Sequence, residues 1–156
     1  MNQSPKLSVP VWYWVIATVA VLWNLMGCAA LAMELFAQEA MMESFTEPQK
    51  EWARSISGWI YFVYGVAVLA GVAGSVGLFL RKGWSVLLLA ISLVAVLIQM
   101  VYTMVIAGGL QVMGAEGAIM PSLVIVLAAI FLLFSWFARA KGWIGNGKTL
   151  NSGVSA

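Results

Sequence analysis

Apolar residues occur in four long runs, and the polar residues between them fall into short, sorted blocks. The runs cover residues 11–33, 58–80, 85–106 and 122–138, with no charged residue inside any of them. At a helical rise of ~1.5 Å per residue, such runs match the ~30 Å hydrocarbon thickness of a bilayer. The pattern therefore predicts an all-α protein with four transmembrane helices. In lipid every backbone polar group needs an internal partner, which a helix supplies within its own segment.

The second run has the strongest internal order. Tyr64, Ala67, Gly71, Gly74 and Gly77 recur at three- and four-residue steps. They form a stripe on which a second helix can approach backbone to backbone. Ala67, Gly71, Gly74 and Gly77 are accordingly expected to form a packing spine. The first run opens with Trp12, Tyr13 and Trp14, an aromatic group suited to the membrane–water boundary. Leu25, Met26, Gly27 and Cys28 resemble a lipoprotein cleavage box. The chain stays apolar after Cys28, however, and that favours an uninterrupted helix.

The connections differ in character. Residues 34–57 form the one sizeable loop. Within it Thr46, Pro48 and Gln49 match a capped helix start, so helix two is expected to begin near Glu47 and enter the membrane near Gly58. Arg81, Lys82, Gly83 and Trp84 read as a tight basic turn. Residues 108–121 form a short glycine-rich loop, with Pro121 in the first turn of the fourth span. One domain thus covers residues 1–143, and residues 144–156 form a polar tail with too little apolar content to fold.

Composition agrees with this class: 63% of the 156 residues are hydrophobic and 9% are charged, which a water-soluble surface does not tolerate. Histidine and aspartate are absent and there is a single cysteine. The usual metal ligands and paired nucleophiles are missing, so no metal, no cofactor and no enzymatic activity is expected. The acid–base inventory of any enzyme here would reduce to Glu34, Glu116, Tyr64 and Tyr102. Nucleic acid is not an expected partner; the lipid bilayer is. The acids Glu34, Glu39, Glu43, Glu47 and Glu51 share the long loop with Lys50 and Arg54. Their spacing lacks the glycine turn and alternating ligands of a calcium loop and fits a solvated face.

Charge sorting predicts the orientation. Lys6, Arg81, Lys82, Arg139, Lys141 and Lys148 lie on one side with no acid among them. Lys50 and Arg54 lie on the other side with all the acids. Because the positive-inside rule counts bases, both termini are placed in the cytoplasm. Four spans joined by short turns then make an antiparallel four-helix bundle.

Polar residues within apolar runs are the place to look for a site. Asn24 lies near the middle of helix one and Gln99 near the same depth in helix three. Tyr64 and Tyr102 belong to the outer halves of helices two and three. On helical spacing Asn24, Gln99, Tyr64 and Tyr102 face a common interior space. There they serve either as hydrogen-bonding glue between helices, worth ~0.6 to 2 kcal/mol per bond, or as the lining of a ligand pocket.

Trp23, Asn24, Leu25, Met26 and Gly27, with Gln99, Met100, Val101 and Tyr102, and with Val112, Met113, Gly114, Met120 and Pro121, carry a resemblance. The chain from about Trp12 to Trp143 resembles a group of small four-span proteins of the bacterial inner membrane, some labelled "sugar transporter". That resemblance implies a multi-pass inner-membrane location and no particular activity. SWEET-type carriers use a Pro-Gln pair inside a three-helix unit, whereas Pro48 and Gln49 stand at an exposed helix start. Small multidrug exporters place a carboxylate mid-way along their first span, where Asn24 cannot cycle a proton.

Two functions follow as expectations. The first is an accessory or structural subunit, packing through helix two against a second copy or a larger membrane complex. The second is a small transporter or binder of a neutral, partly apolar ligand in the polar interior.

Overall fold

The computed structural model describes residues 8–145. Helix α1 (Val11–Phe36) leads through a single turn, α2 (Gln38–Met41), and the 3-10 turn Met42–Ser44 to α3 (Glu47–Ser55). Next come α4 (Gly58–Phe79) and α5 (Ser85–Met100), which runs on as a π-helical turn, Val101–Ile106. Helix α6 (Gly109–Met113), a 3-10 turn Ala115–Ala118 and α7 (Ile119–Ala140) complete the chain, and no strand occurs among the described residues. Four segments are long and apolar enough to cross a membrane: Val11–Phe36, Gly58–Phe79, Ser85–Ile106 and Ala115–Ala140.

Some boundaries differ from those expected. Helix α1 continues past Met33 to Phe36, because nothing between them breaks a helix, and this carries Glu34 onto the helix. The capping box at Thr46 forms, with the Thr46 amide donating to Gln49 Oε1 at 3.0 Å. The helix it starts does not continue into the apolar run. Ile56 and Ser57 adopt extended backbone, with ψ of 122° and 137°, and α4 begins afresh at Gly58. The break lets the polar α3 turn aside and set Trp52 on Gly109, where a Cβ would lie 3.0 Å from the indole ring. Exposed ion pairs Glu39–Arg54 (3.2 Å) and Glu47–Lys50 (2.9 Å) decorate this end and add at most ~1 kcal/mol each. The fourth long helix proper starts at Ile119 instead of residue 122, with Pro121 still in its first turn. At the other end Ile144 is buried with Tyr13 and Leu78, so the packed region extends beyond residue 143. The remainder of the expected tail lies outside the described residues.

The glycine stripe lies at the closest helix approach. Gly71, Gly74 and Gly77 are all buried. A Cβ on Gly74 would come within 2.8 Å of Leu89 Cγ and 3.0 Å of the Leu89 backbone nitrogen, and one on Gly77 within 2.5 Å of the Trp84 ring. Helix α5 therefore sits directly on the α4 backbone, as helices with small interfacial residues do in lipid. The Ser92 hydroxyl ties the two together by donating to the Ala67 carbonyl at 2.7 Å. On the other flank of α4, Tyr13 donates its hydroxyl to the Leu78 carbonyl, Gly27 touches Val68, and Gln38 donates to the Tyr61 hydroxyl at 3.3 Å. Residue numbers thus rise along α1 as they fall along α4. Helix α7 packs on α5.

At the Tyr13 end, aromatic side chains close the remaining gap. Trp12 and Tyr13 meet Phe134 at centroid separations of 5.8 and 5.5 Å, and Trp143 lies edge-on to Trp12 at 5.2 Å. Tyr13 is fully buried, so this residue of the expected boundary anchor is a core residue instead. The α4–α5 turn is locked into the same cluster. Arg81 occupies the left-handed region (φ 59°), uncommon for a residue with a side chain. Two bonds hold it there: Arg81 Nε donates to the Trp143 carbonyl at 2.7 Å, and the Gly145 amide to the Arg81 carbonyl at 3.1 Å.

Candidate functional site

Helices α1 and α7 part beyond the aromatic end. Between them, with α4 and α5 as floor, is a cavity of about 240 Å³. Its polar lining comes from Asn24, Tyr64, Ser92 and Gln99, and its apolar lining includes Gly27, Ala128 and Phe131. Met26 and Met120 also line it and are both 61% exposed, so they mark its mouth on the α1–α7 side. Among the described residues no charged side chain lines it.

Each polar group arrives there for a local reason. Asn24 rides on α1 opposite Gly71, and its Oδ1 fills the space that a side chain at Gly71 would need. The asparagine Nδ2 donates to the Ala20 carbonyl one turn back at 2.8 Å, which fixes the rotamer and leaves Oδ1 as the unspent acceptor. Ser92 uses its proton on Ala67. Gln99 sits at the end of α5, is only 8% exposed, and among the described residues no hydrogen bond reaches its side-chain amide. The Tyr64 hydroxyl likewise has no hydrogen-bond partner among the described residues.

Asn24, Gln99 and Tyr64 are thus brought to one cavity. Tyr102 is not. It stacks edge-on against Trp59 with centroids 4.9 Å apart. Three residues of α-helix already set Tyr102 about 60° round the helix from Gln99, on the adjoining edge. A π-helical turn follows from Val101, in which the Ala107 amide bonds to the Tyr102 carbonyl at 2.8 Å, five residues back. Thr103 stays beside the Gln99 face and donates to the Gln99 carbonyl at 2.9 Å. Such π-turns recur at functional sites, and this one directly follows the unpaired amide.

Two further residues contribute beyond the four expected. Ser92 shares the Gln99 face by helical spacing, and its hydroxyl links α5 to α4 at the cavity floor. Ala128 carried no signal at all, because a small residue in an apolar run opens a void only when the opposing backbone stays away.

The comparisons add no relative. No family model, curated protein or solved structure matches this chain. The candidate site accordingly rests on its own geometry.

Proposed function

We propose that this chain is a multi-pass membrane protein that binds a neutral, partly apolar small molecule in the cavity between α1 and α7. In this reading it is an antiparallel four-helix bundle with both termini in the cytoplasm, of the bacterial inner-membrane kind that the resemblance implies. The base-rich side supplies the orientation. The observation that carries the binding reading is Gln99, a residue only 8% exposed that lines the cavity and whose side-chain amide has no hydrogen-bond partner among the described residues. An unpaired amide in an apolar interior costs a few kcal/mol, and a ligand that bonds it offsets that cost. A pocket mostly apolar with a few convergent polar groups is the usual form of a small-molecule site.

The accessory-subunit reading relied on the small-residue stripe of α4. Ala67, Gly71, Gly74 and Gly77 are occupied by α1 and α5 of the same chain, so the stripe is not free for a partner. Among the described residues no charged side chain lines the cavity, which favours a neutral ligand over an ion. The test is retention. Purified in nanodiscs from native membrane and analysed by native mass spectrometry, the protein is expected to release a small molecule. Ala128→Phe, which fills the cavity, is expected to lose it, and Leu69→Phe on the exposed face of α4 to keep it. Retention unaffected by Ala128→Phe contradicts the reading.

A further inference from the structure

The hydrogen-bonding groups left over in the cavity define what the ligand must carry. Asn24 has spent a donor on Ala20 and offers Oδ1 as an acceptor. Gln99 offers both an acceptor and two N–H donors, and Tyr64 offers a hydroxyl. The site therefore presents donors and acceptors together. A ligand head that only accepts, such as an ether, ester or quinone, leaves the asparagine oxygen unpaired. A hydroxyl or an amide gives and takes, and serves both. A carboxylate or ammonium finds no opposite charge in the lining.

Geometry sets the other end of the ligand. The cavity's mouth lies between exposed Met26 and Met120, on the side of the bundle where α1 and α7 diverge. In a bilayer that side faces lipid tails. Its volume, about 240 Å³, equals roughly eight waters at ~30 Å³ each, enough for a polar head and a short stretch of chain. The rest of an amphiphile would remain between the helices or in the hydrocarbon.

We propose that the cavity takes the hydroxyl or amide head of an uncharged, bilayer-dissolved amphiphile, with Asn24 accepting from it and Gln99 and Tyr64 donating to it. This rests on the binding reading above and adds the chemical class. Methionine ε-methyl labelling gives a direct readout, because Met100 lines the cavity and Met33, exposed on α1, does not. The full-length protein in nanodiscs is titrated with 1-octanol, octanamide and octyl methyl ether, and the Met100 methyl resonance is followed with Met33 as the reference for partitioning into lipid. Octanol and octanamide are expected to shift Met100 saturably, and the ether to bind at least ~tenfold more weakly, the factor for one buried group left unpaired. Asn24→Ala, which removes the acceptor, is expected to bring octanol down toward the ether. Gln99→Leu and Tyr64→Phe, which remove donors, are expected to weaken octanol and ether alike and keep their ratio. Equal binding of ether and octanol to the native chain overturns the chemical class while leaving a binding cavity in place. Discrimination that survives Asn24→Ala, or that is lost in Gln99→Leu and Tyr64→Phe alone, overturns the assignment to these residues. If none of the three probes moves Met100, the cavity holds water alone, and the binding reading falls together with this one.

Discussion

The α4–α5 seam and the α1–α7 seam contain small residues alike and use them in opposite ways. On α4, Gly74 and Gly77 coincide with a close helix approach, and the space that each missing side chain leaves is filled by Leu89 and Trp84. Across the other seam, Gly27 and Ala128 line a gap of about 240 Å³. What separates the two outcomes is what flanks them. Tyr13 and Phe134 hold α1 and α7 together at one end, whereas exposed Met26 and Met120 border the cavity further along the same two helices. Small residues permit close packing; the neighbours decide whether it happens.

The largest expected effect comes from adding carbon to the closed seam. Gly74→Leu forces a side chain into the Leu89 backbone and should lower stability by ~1 to 3 kcal/mol, read as thermal unfolding in nanodiscs. A mild effect would mean that α4 and α5 are not in backbone contact. The matched change on the open seam, Ala128→Leu, should instead be neutral or stabilising by up to ~2 kcal/mol, because it fills a void. If both changes cost the same, the two seams are packed alike and the comparison fails.

Smaller changes sharpen it. Ser92→Ala removes the hydroxyl bond to Ala67 and should cost ~0.6 kcal/mol, typical of an interhelical bond in lipid. Gly65 lies on the same helix as the stripe with nothing within 4 Å of its Cβ position. Gly65→Ala should therefore stabilise by ~0.5 to 1 kcal/mol, opposite in sign to Gly74→Ala, through the lower entropy cost of alanine in a helix. Both signs are readable in one thermal series.

The smallest effect is outside the helical core. The hydrogen bond and charge of Lys50 hold the Glu47 carboxyl below its ordinary value of 4.5. A depressed carboxylate adds stability above its unfolded pKa, and that stability is lost as pH falls through the folded one. Amide protection at the start of α3, taken as the exchange rate relative to the intrinsic rate at each pH, should therefore fall on acidification below about pH 4.5 in the native chain. In Glu47→Gln that protection should be nearly constant over the same range.

Much of this was legible in the sequence because membrane helices announce themselves by length and apolarity. The spans, the α4 stripe and the Thr46 capping box are all local properties. The break before Gly58 was hidden because it depends on where Trp52 must rest, on Gly109 of α6, far later in the chain. Tyr102 was misplaced for a different reason: three-residue spacing sets it about 60° round the helix from Gln99, and only the position of Trp59 on the neighbouring helix decides which side of that edge it takes. Tyr13 was taken for a boundary anchor because its buried role depends on the Leu78 carbonyl and on Phe134, both far along the chain. The cavity itself is a property of what fails to meet, and no run of residues encodes that locally.

Gln99 carries the central claim, that one seam is open and holds an amide without a protein partner. The direct measurement is the thermal stability of Gln99→Leu against the native chain in ligand-free nanodiscs. With no bond to lose and an apolar side chain gained, the variant should unfold at the same temperature or higher. A loss of ~1 kcal/mol or more would mean that Gln99 is bonded to the protein, that the seam is closed by polar glue, and that there is no binding cavity.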